Sequence, residues 1–453
     1  MGSGAFAILT RGEVPSPVAH HRRRLVRASG VASLTKVIVL AIAVVDTVVT
    51  ARLLGASGKG GLFLFATTVS IFAVLATCSL GPALQVATTQ ERVAIGDAVR
   101  FCVTLSTCVG VMLGIAALGL QSVGAFAGLA ASAALLIPAE MLVSLLTPLF
   151  VVADRIPRRS VLEVSGASLD LALTAGFMLS GGDRLLRATV GIVVARWLLA
   201  LLLTADLWGR GDQVAEPHWR RQALQFGLRN QPASLLAFGA KRADAYVLAA
   251  YLGPRAVGIY SVASTLAEIP LLVARAVQPS VISMAAALGI SSGKDVARIA
   301  RAVLGVYVLG LPVYGLTVMW LLGPALGEQF GEAATPLWTL LIATTCLAVH
   351  TVLSGFFLGT NRPGRLTLII GPPVLLNLLL SFILIPRYGL AGNAWASAIG
   401  ALLTATAGLA FFRRIASVEI RESVLFRPSD FGKLRSAVRS AATVSQDGAA
   451  TTP

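Results

Sequence analysis

Twelve apolar stretches, each long enough to cross a lipid bilayer, constrain the fold of this chain more than any other feature. A transmembrane helix needs about 20 predominantly apolar residues. Six such stretches precede the polar segment at 209–222, and six follow it. The predicted spans are residues 30–51, 60–84, 100–120, 126–152, 160–180, 186–209, 226–252, 256–280, 300–322, 333–359, 364–385 and 390–412. The pattern predicts an all-α integral membrane protein of about twelve transmembrane helices.

The composition supports the same conclusion. The chain of 453 residues is 56% hydrophobic and only 13% charged, with a mean hydropathy of +0.81. Because soluble domains carry about a quarter charged residues, lipid must be the solvent for much of this chain. A net charge of +16 in a soluble protein would suggest nucleic acid. Here the basic residues lie in short connectors, and we expect no nucleic-acid partner.

Basic residues alternate from one connector to the next. Both tails and every second connector hold most of the 37 lysines and arginines. The other connectors hold only Arg52, Lys59, Arg184, Arg187, Arg255 and Arg387. Since connectors rich in Lys and Arg stay in the cytoplasm, the pattern predicts a cytoplasmic (inner) membrane protein with both termini inside. Both halves then start from the same side, which predicts two six-helix lobes related as parallel repeats by a pseudo-two-fold axis.

The predicted domains follow from these spans and charges. They comprise a basic N-terminal tail, an N-terminal lobe, a cytoplasmic linker, a C-terminal lobe, and a C-terminal tail that starts basic and ends disordered. Their boundaries are 1–28, 29–209, 210–223, 224–413 and 414–453.

Two hairpins share a glycine pattern across the halves. ARLLGASGKGGLF (51–63) joins the first two helices, and AAYLGPRAVGIYS (249–261) joins the seventh and eighth. A related turn, IPRYGLAGNAWASAIG (385–400), lies between the last two helices. The first glycine of each motif follows a leucine or a tyrosine (LG, LG and YG). It predicts a helix end with positive φ, followed by tight re-entry of the chain into the membrane.

These three motifs on a 6+6 frame resemble the polysaccharide-repeat (O-antigen type) flippases of the multidrug/oligosaccharidyl-lipid/polysaccharide exporter superfamily. The resemblance covers roughly residues 30–412, although GASGKG in the first hairpin replaces the usual G-P-acidic pattern. It implies two six-helix lobes around a central cavity and transport by alternating access. The implied cargo is a short oligosaccharide on an undecaprenyl-pyrophosphate carrier.

Seven ionisable residues fall near the centres of predicted helices. Facing lipid, they would cost roughly 2.5–3.5 kcal/mol each, so we expect them to line a cavity or to pair between helices. The seven are Glu140, Asp170, Arg196, Lys241, Arg242, Asp244 and Glu268.

Three of these residues are cationic and are candidates for binding a pyrophosphate, namely Arg196, Arg242 and Lys241. Lys241 and Asp244 are three residues apart and could pair along the helix, which would leave Arg242 without a carboxylate. The structural alternative is that all three cations close interhelical salt bridges.

The acidic residues are candidates for lining the cavity and for coupling to a proton or sodium gradient. Glu163 and Asp170 lie on one helix face seven residues apart. Lys36 is expected to reach the cytoplasmic interface. The alternative for each acid is a hydrogen bond to a neighbouring helix. The coupling candidates are Asp46, Glu140, Asp170, Asp244 and Glu268.

No cofactor or metal site is predicted. His350 lacks neighbours at ligand spacing, and Cys78, Cys102, Cys108 and Cys346 form no paired motif. The expected partners are the lipid-linked oligosaccharide, membrane lipids and, as a further hypothesis, a polysaccharide polymerase.

Three other functions remain open. A lipid II flippase of the same superfamily usually carries helices beyond twelve, and a cation-coupled drug antiporter needs chiefly acidic cavities. A membrane glycan polymerase or ligase needs catalytic groups on a sizeable outer loop. The outer connectors offer little beyond Asp183, Glu328 and Glu332, so we expect a transporter and not an enzyme.

Overall fold

A computed structural model describes residues 17–89, 93–121, 127–153, 155–208, 218–360 and 362–416. Within these residues the regular structure is entirely helical, with short 3₁₀ turns at Gly289–Ser292 and Glu328–Ala333. The helices are α1 Pro17–Thr77, α2 Leu80–Thr89, α3 Ile95–Gln121, α4 Ala127–Leu146, α5 Leu149–Val152, α6 Ile156–Leu179, α7 Arg184–Leu207, α8 Trp219–Glu268, α9 Leu271–Leu288, α10 Gly293–Leu326, α11 Ala334–Gly359 and α12 Pro363–Ala416. We call α1–α7 the N-lobe and α8–α12 the C-lobe.

Three long helices bend back at a glycine with positive φ. Gly55 in α1 has φ 65°, Gly253 in α8 has φ 78°, and Gly389 in α12 has φ 59°. These are the glycines that the hairpin motifs predict, and the prediction is confirmed. Residues with a Cβ rarely adopt this conformation, so each glycine divides a long helix into two arms.

Dividing α1, α8 and α12 at these glycines reconciles the helices with the predicted spans. By length and composition, eight helices in the described chain can cross a membrane. Arg242–Glu268 of α8 and Leu271–Ala286 of α9, bent by 45°, form one further candidate span. α1, α8 and α12, with 61, 50 and 54 residues, are each long enough for two crossings. The described residues thus hold about twelve spanning segments, and the predicted all-α membrane fold is confirmed.

The helix ends extend beyond two predicted boundaries. α1 begins at Pro17, so the second part of the predicted N-terminal tail is helical. α8 begins at Trp219, inside the predicted linker, and both Trp219 and Ala223 are buried in the N-lobe core. The predicted C-terminal tail beyond Ala416 lies outside the described residues.

Each lobe has its own apolar core. The C-lobe core joins α8–α12 and includes the fully buried rings of Phe356 and Phe412, whose centroids are 4.9 Å apart at 82°. The N-lobe core packs α2–α4 and α7 around Met141 and Leu203. Large apolar side chains also cover outer surfaces, as on α10, where Trp320 is 78% exposed. Such surfaces are expected to face lipid.

The second arm of α1 and the first arm of α8 form a continuous seam between the lobes. Thr68 Oγ1 lies 2.8 Å from the Tyr246 hydroxyl midway along it. Gln231 donates to the carbonyl of Val74 at 2.9 Å and accepts from Ser79 at 2.9 Å. The two arms are antiparallel, because residues further along α1 contact residues earlier in α8. The lobes are therefore in contact along the seam of α1 and α8.

A second set of contacts joins the lobes where the glycine bends lie, which we call the hairpin end. Arg52 of α1 donates to the carbonyl of Ala325 at 2.6 Å and to that of Pro324, at the C-terminus of α10. The Ala56 amide donates to the side chain of Gln329 at 3.2 Å. An arginine at a helix C-terminus satisfies free carbonyls and opposes the negative end of the helix dipole.

Candidate functional site

A cavity of about 320 Å³ lies in the C-lobe, where α8, α11 and α12 meet. α1 of the N-lobe contributes Phe63 to its wall. Polar and ionisable side chains share the wall with Leu, Ile, Ala and Pro residues. They include Arg242, Asp244, Ser264, Glu268, Thr344, His350 and Asn377. A concave apolar site with a few convergent polar groups is the usual form of a ligand site.

Arg242 is placed by stacking across the seam. Its guanidinium carbon lies 4.9 Å from the centroid of the Phe63 ring, within cation–π range. No carboxylate in the described part of the chain forms an ion pair with it. Stacking on a ring face leaves the N–H groups at the guanidinium edge able to donate to a ligand. Arg242 thus forms no ion pair within the described residues, and its role in binding a pyrophosphate stays a prediction.

Asp244 is held by a neighbouring amide. Asn393 Nδ2 donates to Asp244 Oδ2 at 3.0 Å, and Asn393 Oδ1 accepts from Ser381 at 3.2 Å. Because the chain of donors fixes this carboxylate, Asp244 is anchored to α12. The side chain of Lys241 lies outside the described residues, so its pairing with Asp244 stays a prediction.

A separate charge cluster lies in the N-lobe. Arg196 of α7 is 3.4 Å from Glu140 of α4 and 3.6 Å from Asp170 of α6. All three side chains are about 30% exposed. Arg196 does not line the cavity beside Arg242. The structure thus brings Arg196 together with two acids of its own lobe, which is the salt-bridge alternative of the sequence analysis.

Three buried oxygens in this region have no hydrogen-bond partner among the described residues. They are Glu140 Oε2 on α4, and Asp170 Oδ1 and Thr174 Oγ1 on α6. A buried oxygen without a partner costs about 1–3 kcal/mol. Such oxygens can receive a proton, a cation or water.

Asp46 forms an ion pair that the sequence pattern does not predict. Its carboxylate is 4.0 Å from Lys59 Nζ, and Lys59 also donates to Thr50 Oγ1. Lys59 was expected in an outer connector, but it is only 8% exposed. The bend at Gly55 turns the second arm of α1 back onto the first. A linear count of spans therefore could not show that Lys59 faces its own helix.

The remaining candidates occupy simpler positions. Glu163 pairs with Arg159 at 2.7 Å along α6, and Asp170 pairs with α7 instead. Glu268, at the end of α8, lines the cavity and forms no ion pair in the described chain. Lys36 is exposed within the first arm of α1, and its reach to the cytoplasmic interface stays a prediction.

His350 was expected as a packing residue, and it is buried in the cavity wall. Its Nδ1 has no hydrogen-bond partner in the described structure. Among the described residues, no group of three or more His, Cys, Asp or Glu side chains is placed to hold a metal ion.

Sequence comparison finds neither a matching protein family nor a significantly similar curated protein. Solved structures do match. A lipid II flippase MurJ in an inward closed conformation has a TM-score of 0.72 at 12% identity, covering 93% of each chain. An inward-facing multidrug resistance MATE family transporter of the MOP superfamily has a TM-score of 0.62 at 16% identity, covering 83% of this chain and 94% of that one. The outward-facing conformation of a MATE family transporter has a TM-score of 0.59.

These matches show the fold. The chain has the architecture of MATE and MurJ transporters. The superfamily and the O-antigen flippase family of the resemblance stay predictions.

Proposed function

We propose that this protein is a flippase that moves an undecaprenyl-pyrophosphate-linked oligosaccharide across the cytoplasmic membrane by alternating access. The observation that carries the proposal is Arg242, which lies in a cavity wall beside the seam between the lobes and forms no ion pair with a carboxylate of the described residues. An arginine of this kind suits a phosphate oxygen, since its planar group offers two parallel N–H donors.

The rest of the cavity wall fits the same cargo. Asn377, Ser264 and Thr344 supply amide and hydroxyl groups for sugar or phosphate oxygens, and apolar residues complete the wall. The volume of about 320 Å³ suits a pyrophosphate group and part of a glycan. A whole oligosaccharide requires more space, so the lobes must separate along the seam of α1 and α8 during transport.

The N-lobe cluster supports coupling to a proton or sodium gradient. Three acids, Asp46, Glu140 and Asp170, accompany two bases, Lys59 and Arg196. The excess carboxylate and the unpartnered Asp170 oxygen offer a place for one added positive charge. On this proposal Arg196 positions the coupling acids Glu140 and Asp170 and does not bind the cargo.

The same acidic excess supports a second candidate, a cation-coupled drug antiporter with the MATE fold. The two functions make opposite demands on Arg242. An anionic cargo needs its charge, whereas a cationic drug is repelled by it.

The test is transport by Arg242→Gln in proteoliposomes. We expect translocation of a fluorescent lipid-pyrophosphate oligosaccharide to fall at least tenfold, because a charge-assisted contact of about 1.5–3 kcal/mol is lost. The matched control is Arg298→Gln, which removes an exposed arginine paired with Asp295. Unchanged lipid transport with increased efflux of a cationic dye would refute the flippase and favour the antiporter. Lipid II as a second cargo separates the two flippase families.

A further inference from the structure

A cleft of about 480 Å³ lies at the end of the bundle opposite the hairpins. Three arginines line it, Arg362 and Arg365 from the start of α12 and Arg414 from its end. Because α12 bends back at Gly389, its two ends meet here. The apolar residues of the cleft are Ile290, Leu368, Phe411 and Ile415.

The three arginines have no anionic partner within the part of the chain that the structure describes. None of them forms an ion pair or a side-chain hydrogen bond there. By contrast, Arg155 and Arg158 both pair with the carboxylate of Asp206 at 3.1 Å. The cleft therefore concentrates positive charge that its surroundings do not offset.

The backbone adds to this potential. α12 begins at Pro363, directly after Arg362, so the N-terminal end of its helix dipole lies beside two of the arginines. A helix N-terminus attracts anions. The C-terminus of the same helix carries the opposite partial charge, and Arg413 and Arg414 oppose it in the last turn.

The apolar residues make the cleft amphipathic. Leu368 is 63% exposed and Ile290 is 45% exposed. Phe411 and Ile415 are half-buried and rest against the C-lobe core, in which their neighbour Phe412 is fully buried. An inorganic anion makes no favourable contact with these apolar side chains, whereas a lipid can pack its acyl chains against them.

We propose that this cleft binds an acidic phospholipid, with the phosphate between the three arginines and the first part of the acyl chains along Leu368 and Phe411. The cleft shares no lining residue with the C-lobe cavity and does not depend on the proposed cargo. The alternating basic connectors predict that this end lies in the cytoplasm, where the inner leaflet is anionic. Basic pockets between transmembrane helices on the cytoplasmic side bind anionic lipid head groups.

The test is native mass spectrometry of the full chain in detergent, titrated with phosphatidylglycerol or with phosphatidylcholine of the same acyl chains. We expect a clear preference for phosphatidylglycerol. The variant Arg362→Gln/Arg365→Gln/Arg414→Gln is expected to lose roughly fivefold of this preference for each arginine removed. The control Arg221→Gln/Lys294→Gln/Arg413→Gln removes the same charge from exposed positions outside the cleft and is expected to retain the preference.

A second comparison distinguishes a lipid from a free phosphate ion. Leu368→Asn is expected to weaken phosphatidylglycerol binding while leaving the arginines unchanged. Should inorganic phosphate in millimolar excess abolish lipid binding, with Leu368→Asn having no effect, the ligand is a free phosphate and the lipid proposal is wrong. Equal loss in the cleft and control variants would overturn it as well, since general charge would then explain the preference. Arg414→Gln alone, at an exposed helix end, serves if the triple variant does not fold.

Discussion

Gly60 of the N-lobe and Gly258 of the C-lobe touch backbone to backbone at the hairpin end. A Cβ on Gly60 would lie 1.7 Å from the Pro254 carbonyl oxygen, and one on Gly258 would lie 1.9 Å from that of Ala56. Gly60 therefore contacts the turn after the C-lobe bend at Gly253, and Gly258 contacts the turn after the N-lobe bend at Gly55. This reciprocity is what two parallel repeats related by a two-fold axis require. The glycines allow the lobes to close at this end.

Gly258→Ala is expected to separate the lobes at the hairpin end, because the new methyl group would overlap a backbone oxygen that cannot move aside. We expect the free energy of unfolding to fall by about 1–3 kcal/mol. Spin labels at Ser57 and Tyr251, both exposed near the bends, are expected to move apart. Gly310→Ala is the control, since nothing lies within 4 Å of the position of its Cβ. Equal label distances in both variants would show that the contact does not hold the lobes together.

Arg52→Ala is expected to loosen the same end through α10. The change removes both donors to the carbonyls of Pro324 and Ala325, and a charged hydrogen bond is worth about 1.5–3 kcal/mol when its partner has no other donor. Faster hydrogen exchange at 327–333 is the measurement. Arg255→Ala removes an exposed pair with Glu332, within the C-lobe, and is expected to cost about 1 kcal/mol or less. If the two variants exchange alike, Arg52 has no special role in closure.

Arg196→Gln is expected to destabilise the N-lobe by about 1–3 kcal/mol, because Glu140 and Asp170 would repel each other without the cation between them. Partial exposure of the three side chains keeps the cost below that of a fully buried pair. Adding Asp170→Asn to Arg196→Gln is expected to restore part of the stability. Chemical denaturation in detergent measures each variant. A double variant less stable than Arg196→Gln alone would contradict the pairing.

Phe63→Ala is expected to impair cargo binding by releasing Arg242 from its ring. A cation–π contact is worth about 0.5–2 kcal/mol, so the KM for the lipid-linked cargo is expected to rise several-fold with little change in stability. Phe63→Tyr keeps the ring face and is expected to preserve transport. Proteoliposome transport at several cargo concentrations separates KM from kcat. An effect confined to kcat would mean that Phe63 acts in lobe movement and not in positioning Arg242.

Local signals in the chain were sufficient for the helices and for the bends. A glycine at a helix end needs no distant partner to adopt positive φ, and the bends at Gly55, Gly253 and Gly389 were predictable for that reason. The charge pairs were not predictable in the same way. The Arg196 partners come from α4 and α6, and sequence spacing contains no information about which helices meet. Lys59 was misplaced because the bend beside it reverses the chain.

The sequence by itself determined that lipid surrounds much of the chain, how many segments can cross a membrane, and where the helices bend at glycine. Hydrophobic length and backbone freedom are local properties of the chain. Only the tertiary structure decided which charges neutralise each other. It separated Arg196, between two acids, from Arg242, stacked on a ring of the opposite lobe, and it gathered three arginines at the two ends of one bent helix. Electrostatic energy depends on the distance between groups, and for residues far apart in the chain that distance exists only after the lobes have packed.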